Sequence, residues 1–175
     1  MTRFNIVLLP TDTRIQNLFV DLSQKHFGAV ANGYVLGANA LAHVTLCQFR
    51  AVDNRAARDA FWAWGGKRNG DLRLTRFHFR EGDAEHAGMM WAEILVEKSR
   101  LLLEQQRECF EHLAQLDFET LTPVETYSPH VTLARMAADA IPAEPTLQYA
   151  LDAGAIAVRP AVGLSTENGV FAKEL

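Results

Sequence analysis

The sequence predicts an α+β or mixed α/β domain, and three features carry that prediction. Helical and strand-type hydrophobic patterns alternate along the chain. An Asn168-Gly169 hairpin signal near the carboxyl end argues against a purely parallel sheet. The tetrapeptide His-Val-Thr-Leu occurs twice, at 43–46 and 130–133. The length of 175 residues suits one domain, 1–175, with a substantial core. With 49% hydrophobic and 22% charged residues the composition is that of a folded protein, and a net charge of −4 gives no whole-molecule attraction to long nucleic acid.

The elements follow in order. "RFNIVLLP" (3–10) reads as a buried strand closed by Pro10. A helix follows over 11–28, capped by Thr11 or Asp12, with Ile15, Leu18, Phe19 and Leu22 on one stripe and Gly28 as its stop. A Gly- and Ala-rich connector (28–42) leads to the strand "HVTLCQF" (43–49), then to a helix over 53–64 capped by Asp53, and then to a turn with a small basic tip (65–71). Strands at 72–79 and 89–96 flank the loop "REGDAEHAG". The clearest helix spans 98–116, with Leu102, Cys109, Leu113 and Leu116 on its apolar face. A polar connector reaches the second motif, "SPHVTLARM".

The repeat extends beyond four residues. His43 and His130 are 87 residues apart, and the same ungapped offset lays the first helix on the helix at 98–116 and Val7-Leu8-Leu9 on Ile94-Leu95-Val96. Each half therefore reads strand, helix, connector, HVTL, an organisational similarity with little identity outside the motif.

Side chains alternate along a strand, so His43 and Thr45 face one way while Val44 and Leu46 face the other; His130 and Thr132 divide likewise from Val131 and Leu133. Each apolar pair suits the core, and each polar pair is left to meet something. Two imidazoles across a groove suit in-line displacement at a phosphodiester, which needs a base on the attacking oxygen and an acid on the leaving one. Histidine, with an ordinary pKa of about 6.5, serves either role. The Thr hydroxyls can donate to non-bridging phosphate oxygens. Such chemistry asks for no metal and no other cofactor, and the chain lacks the clustered His and Asp ligands of a two-metal site.

Tandem HVTL motifs at half-chain spacing, the Arg3-Phe4 opening strand and the wording "PHVTLAR" resemble the 2H phosphoesterase superfamily, in its 2′-5′ RNA ligase-like or RNA 2′,3′-cyclic phosphodiesterase branch. The resemblance implies two α+β lobes related by a pseudo-twofold axis, mostly antiparallel, with a central cleft and helices outside. It implies His43 and His130 as the catalytic pair and Thr45 and Thr132 as phosphate-binding residues. The implied activity is opening of a 2′,3′-cyclic phosphate to a 2′-phosphate, or making and breaking 2′-5′ linkages, on a nucleotide or short RNA end. Where many relatives carry a basic residue before the second motif, this chain has Tyr127 and Ser128. A non-catalytic nucleotide-binding module is the alternative from another class.

Other residues carry weaker expectations. Tyr127 could stack on a base or pack in its loop. Arg135 falls by strand parity on the face opposite His130 unless the strand bulges, and could contact phosphate or form a structural salt bridge. Phe49 and Cys47 share parity with His43; Phe49 could line the pocket or the core, and Cys47 reads as a pocket-wall residue and not a nucleophile. His78 reads as a satisfied structural histidine, His26 and His112 as helix-surface groups, and Trp62, Trp64 and Trp91 as core or interface aromatics. With only Cys47 and Cys109, and no CxxC, neither a disulfide scaffold nor a thiolate zinc site is expected. No stretch is long enough to span a membrane and the first apolar run is too short for a signal peptide, so a cytoplasmic protein with no membrane partner is expected.

Overall fold

In the computed structural model, which describes residues 1–65, 69–142, 154–166 and 169–175, the first half of the chain forms β1 (Thr2–Pro10), α1 (Thr13–Phe27), β2 (Ala31–Val35) and β3 (Val44–Ala51). Next come α2 (Asn54–Ala63) and β4 (Gly70–Glu81). The second half repeats the opening order as β5 (Met89–Val96), α3 (Arg100–Gln115), β6 (Glu119–Thr120) and β7 (His130–Ala137), and β8 (Ala155–Ser165) and β9 (Phe171–Glu174) end the chain. Side-chain caps start the helices: Asp12 accepts from the Arg14 amide, Asp53 from Ala56 and Ser99 from Leu102. Among the described residues no helix is long and apolar enough to cross a membrane.

The strands form one open sheet ordered β2-β7-β5-β4-β8-β1-β3-β6, with β9 added along β8, and every pairing is antiparallel. That order is symmetric about the β4–β8 junction, where Gly70–Arg73 pair with Ala155–Val158. The halves are also interlocked. β2 pairs with the second motif strand β7, and α1 packs on it; β6 pairs with the first motif strand β3, and α3 packs on it. The α+β prediction with two pseudo-symmetric lobes is met. The predicted connectors at 28–42 and after residue 116 contain β2 and β6, which find their partners only across the two halves. Leu116, placed by helical spacing on the apolar face of α3, lies past the last helical residue and is 45% exposed. The carboxyl hairpin is present as β8 and β9, with Gly169 at φ +74°, although Asn168 lies outside the described residues, as does part of the basic turn at 65–71.

Two matching bulges shape the motif strands. Val7 pairs with Thr45 and Ile6 with Cys47, so Leu46 is the extra residue of β3; Glu93 pairs with Thr132 and Ala92 with Ala134, so Leu133 is the extra residue of β7. The motif strands are thus offset by the expected 87 positions but their partners by 86, so Val7 corresponds to Glu93 and not to Ile94. Each bulge reverses strand parity beyond it. At the second bulge the Leu133 carbonyl accepts from the Ser23 hydroxyl of α1 at 2.6 Å, and that hydroxyl accepts from the Leu36 amide at 3.0 Å. The Leu36 amide also donates directly to the Leu133 carbonyl at 3.1 Å, so Ser23→Ala removes two of the three bonds in this cluster without stranding either backbone group. It is expected to lower stability by about 0.5–1.5 kcal/mol in urea denaturation; an unchanged midpoint would contradict this role.

Candidate active site

His43 lies immediately before β3, and His130 is the first residue of β7. Each is fixed in the same way: the Nδ1 of His43 lies 2.7 Å from the Leu41 carbonyl oxygen and that of His130 lies 2.7 Å from the Ser128 carbonyl oxygen. Only a protonated Nδ1 can donate to these acceptors, so in either neutral ring the bare nitrogen is Nε2. Both rings and both motif threonines line one cleft of ≈ 460 Å³. The strands are held under the threonines by tyrosines that cross between halves. The Tyr127 hydroxyl donates to the Thr45 carbonyl at 2.8 Å, and the Tyr34 hydroxyl reaches the Thr132 carbonyl at 3.5 Å. Burial pushes both phenols well above their ordinary pKa, keeping them protonated as donors.

The bulges decide which neighbours reach the cleft. Beyond Leu46 the cleft side of β3 passes to Gln48, and Phe49 turns inward. The expectation that Phe49 could line the pocket is therefore corrected: it is fully buried, packed on Phe4 and Phe118 at ring distances of 5.9 and 5.4 Å. Cys47 is likewise turned into the core and not the pocket wall, and burial pushes its thiol up to about 12, so it stays protonated. The second bulge acts in the opposite sense on Arg135, which joins the face of His130 despite simple parity. Its Nε donates to the Asn32 carbonyl at 2.9 Å and its guanidinium lies 5.4 Å from the Trp91 ring centre, so it braces the cleft wall and does not line the cavity. Tyr127 reaches the wall but is 7% exposed with its hydroxyl engaged, a supporting position with little open ring face for stacking.

Several cleft residues are not assigned to the site by the sequence, Trp91 among them, which reads there as a core or interface aromatic. Arg3 and Arg80 bring positive charge to the cavity, Gln48 and Trp91 line it, and Glu93 lies beneath His130. Glu93 had a signal, a carboxylate inside the apolar strand "MMWAEILV"; it is 1% exposed and bonded to Arg80 and His78. His78 thus has a specific partner, next to the site. Burial lowers the pKa of His43 from 6.5 to about 4; its bond to Leu41 opposes this, and the neighbouring His130 adds to it. Among the described residues no group of three His, Cys, Asp or Glu is placed to hold a metal ion.

No family model and no curated relative matches this chain. Solved structures do. A phosphoesterase crystal structure superposes with a TM-score of 0.63 at 16% identity, covering 99% of this chain and 95% of its own. E. coli LigT complexed with phosphate gives a TM-score of 0.61 at 19% identity, covering 99% and 94%. The chain has the 2H phosphoesterase fold. LigT complexed with 3′-AMP also matches, with a TM-score of 0.56 at 17% identity over 94% of this chain and 88% of that one. The sequence expectation of a 2H fold is met over nearly the whole chain, and in this 2H fold both motifs face a shared cleft.

Proposed function

We propose that this protein is a metal-independent phosphodiesterase that opens the 2′,3′-cyclic phosphate of a nucleotide or short RNA end to a 2′-phosphate. The observation that carries the reading is the identical fixing of His43 and His130 by carbonyl oxygens two residues back, which leaves two Nε2 atoms for one cleft that also holds Thr45 and Thr132. In the reaction a water oxygen bonds to phosphorus as the P–O3′ bond breaks. One imidazole Nε2 takes the proton from water and the other, as imidazolium, gives a proton to O3′; solvent exchange then resets both rings. The threonine hydroxyls donate to the non-bridging oxygens, and Arg3 and Arg80 draw the anion to the cleft. The LigT structures with phosphate and with 3′-AMP show that a protein of this fold accepts such ligands and support the substrate class by analogy.

The test is a panel of nucleoside 2′,3′-cyclic phosphates, nucleoside 3′,5′-cyclic phosphates and 2′-5′-linked dinucleotides. Turnover of the first set to 2′-phosphates, with the others slower, is expected. Preference for 2′-5′ linkages would move the reading to a 2′-5′ ligase-like enzyme. Nucleotide binding without turnover of any member would leave a binding module.

A further inference from the structure

The two halves match strand for strand, but one pair of equivalent positions carries different chemistry. On β1 and β3, Arg3 and Arg50 lie directly opposite one another, so their side chains stand on the same face of the sheet. The offsets of 86 and 87 map that pair onto Met89 and Ala137, which pair in the same way on β5 and β7. Like charges directly opposite on a sheet are destabilising, and the second half shows that the fold does not need them. Arg3 lines the active-site cavity, and so does Gln48; Arg50 follows Gln48 by two residues and stands past the rim on the same face. Across β6, β3 and β1 the row reads Glu119, Arg50, Arg3, one carboxylate and two guanidiniums. The Arg50 Nε lies 3.3 Å from the Glu119 Oε2 but makes no hydrogen bond, and the two side chains are 37% and 59% exposed. An ion pair of that kind contributes little to stability.

We propose that Arg50, with Arg3, forms a subsite for a second phosphate of the substrate, the one on the 5′ oxygen of the nucleoside whose cyclic phosphate enters the cleft. The inference rests on the phosphodiesterase reading above and deepens it, since a nucleoside phosphorylated on both sides then suits this protein better than a nucleoside cyclic phosphate alone. A guanidinium donates through a planar fork that matches two phosphate oxygens. From Gln48 to Arg50 the strand rises about 7 Å, a single nucleotide step away from the cavity. The 5′ side of the substrate therefore leaves the cleft over β1 and β3, and not over β5 and β7, where Met89 and Ala137 offer no charge. The incoming phosphate replaces Glu119 at Arg50, at small cost because that contact is exposed and not hydrogen-bonded. The 5′ phosphate is a monoester in a mononucleotide and a diester in an RNA strand, and both present the oxygens this subsite takes.

The test is KM for three substrates: adenosine 2′,3′-cyclic phosphate, the same nucleotide with a 5′-phosphate, and the dinucleotide ApA ending in a 2′,3′-cyclic phosphate. The parent is expected to take the two extended substrates at about tenfold lower KM than the first, an advantage that fades as salt is raised. Arg50→Gln is expected to lose that advantage while leaving KM and kcat for the first substrate unchanged. Glu119→Gln removes the competing carboxylate and is expected to lower KM for the extended substrates further; a merely structural role for Arg50 would move all three substrates together. Whichever extended substrate gains in the parent, and loses its gain in Arg50→Gln, identifies the phosphate as monoester or diester. No gain for either, or an equal change on all three in Arg50→Gln, overturns the subsite and leaves the phosphodiesterase reading intact. If the parent turns over none of the three, that reading falls, and the subsite is read by calorimetric titration with adenosine 2′-phosphate and its 5′-phosphorylated form. Tighter binding of the second by the parent but not by Arg50→Gln is then expected, and equal affinities overturn the proposal.

Discussion

His43→Ala and His130→Ala are each expected to lower kcat on a nucleoside 2′,3′-cyclic phosphate by about 10²–10⁴-fold, the range lost when a positioned general acid or base is removed. The effect should fall on kcat more than on KM if, as proposed, the threonines and the cleft arginines bind the ground-state phosphate. The two losses should also be far from additive. Once one proton transfer is gone the in-line mechanism is already broken, and the double variant should be little slower than the slower single variant. Thr45→Val or Thr132→Val keeps the β-branched shape and removes one donor to the phosphate, with an expected loss of about 10²-fold. Near-parent rates in either alanine variant would remove the histidines from the chemistry.

The second large effect concerns stability. Folding holds His43 neutral down to about pH 4, whereas the unfolded chain takes up that proton near pH 6.5. Above pH 6.5 the ring is neutral in both states and makes no difference. As pH falls from 6.5 to 4 the unfolded state binds a proton that the folded state refuses, so stability declines, and the loss is complete below pH 4 at about 3 kcal/mol. His43→Gln removes this one contribution and leaves every other titration in place. In urea denaturation between pH 7 and pH 4 the parent should therefore lose about 3 kcal/mol more than the variant. Parallel losses in the two proteins would show that His43 is hydrated.

The motif strands were legible because Val44, Leu46, Val131 and Leu133 alternate with the polar pairs, and that alternation depends only on the strand itself. The helices were legible from their stripes and from the Asp12 and Asp53 caps. The bulges were not legible, because an extra residue exists only relative to a partner strand. With them went the placement of Cys47 and the choice between the two readings left open for Phe49 and for Arg135, all of which lie beyond a bulge. β2 and β6 were missed for a related reason: their pairing comes from the opposite half of the chain. The net charge of −4 described the whole surface and concealed the gathering of Arg3 and Arg80, distant in sequence, around one cavity. Glu93 was visible as a carboxylate in an apolar strand, but its partners His78, Arg80 and His130 come from two neighbouring strands that only the sheet order brings beside β5.

The most direct test of a paired-histidine phosphodiesterase is to follow adenosine 2′,3′-cyclic phosphate by phosphorus NMR with the parent protein in excess EDTA. The account predicts steady conversion to the 2′-phosphate alone, because only the P–O3′ bond is broken and no metal takes part. A 3′-phosphate product, activity that vanishes on chelation, or no conversion at all would contradict it.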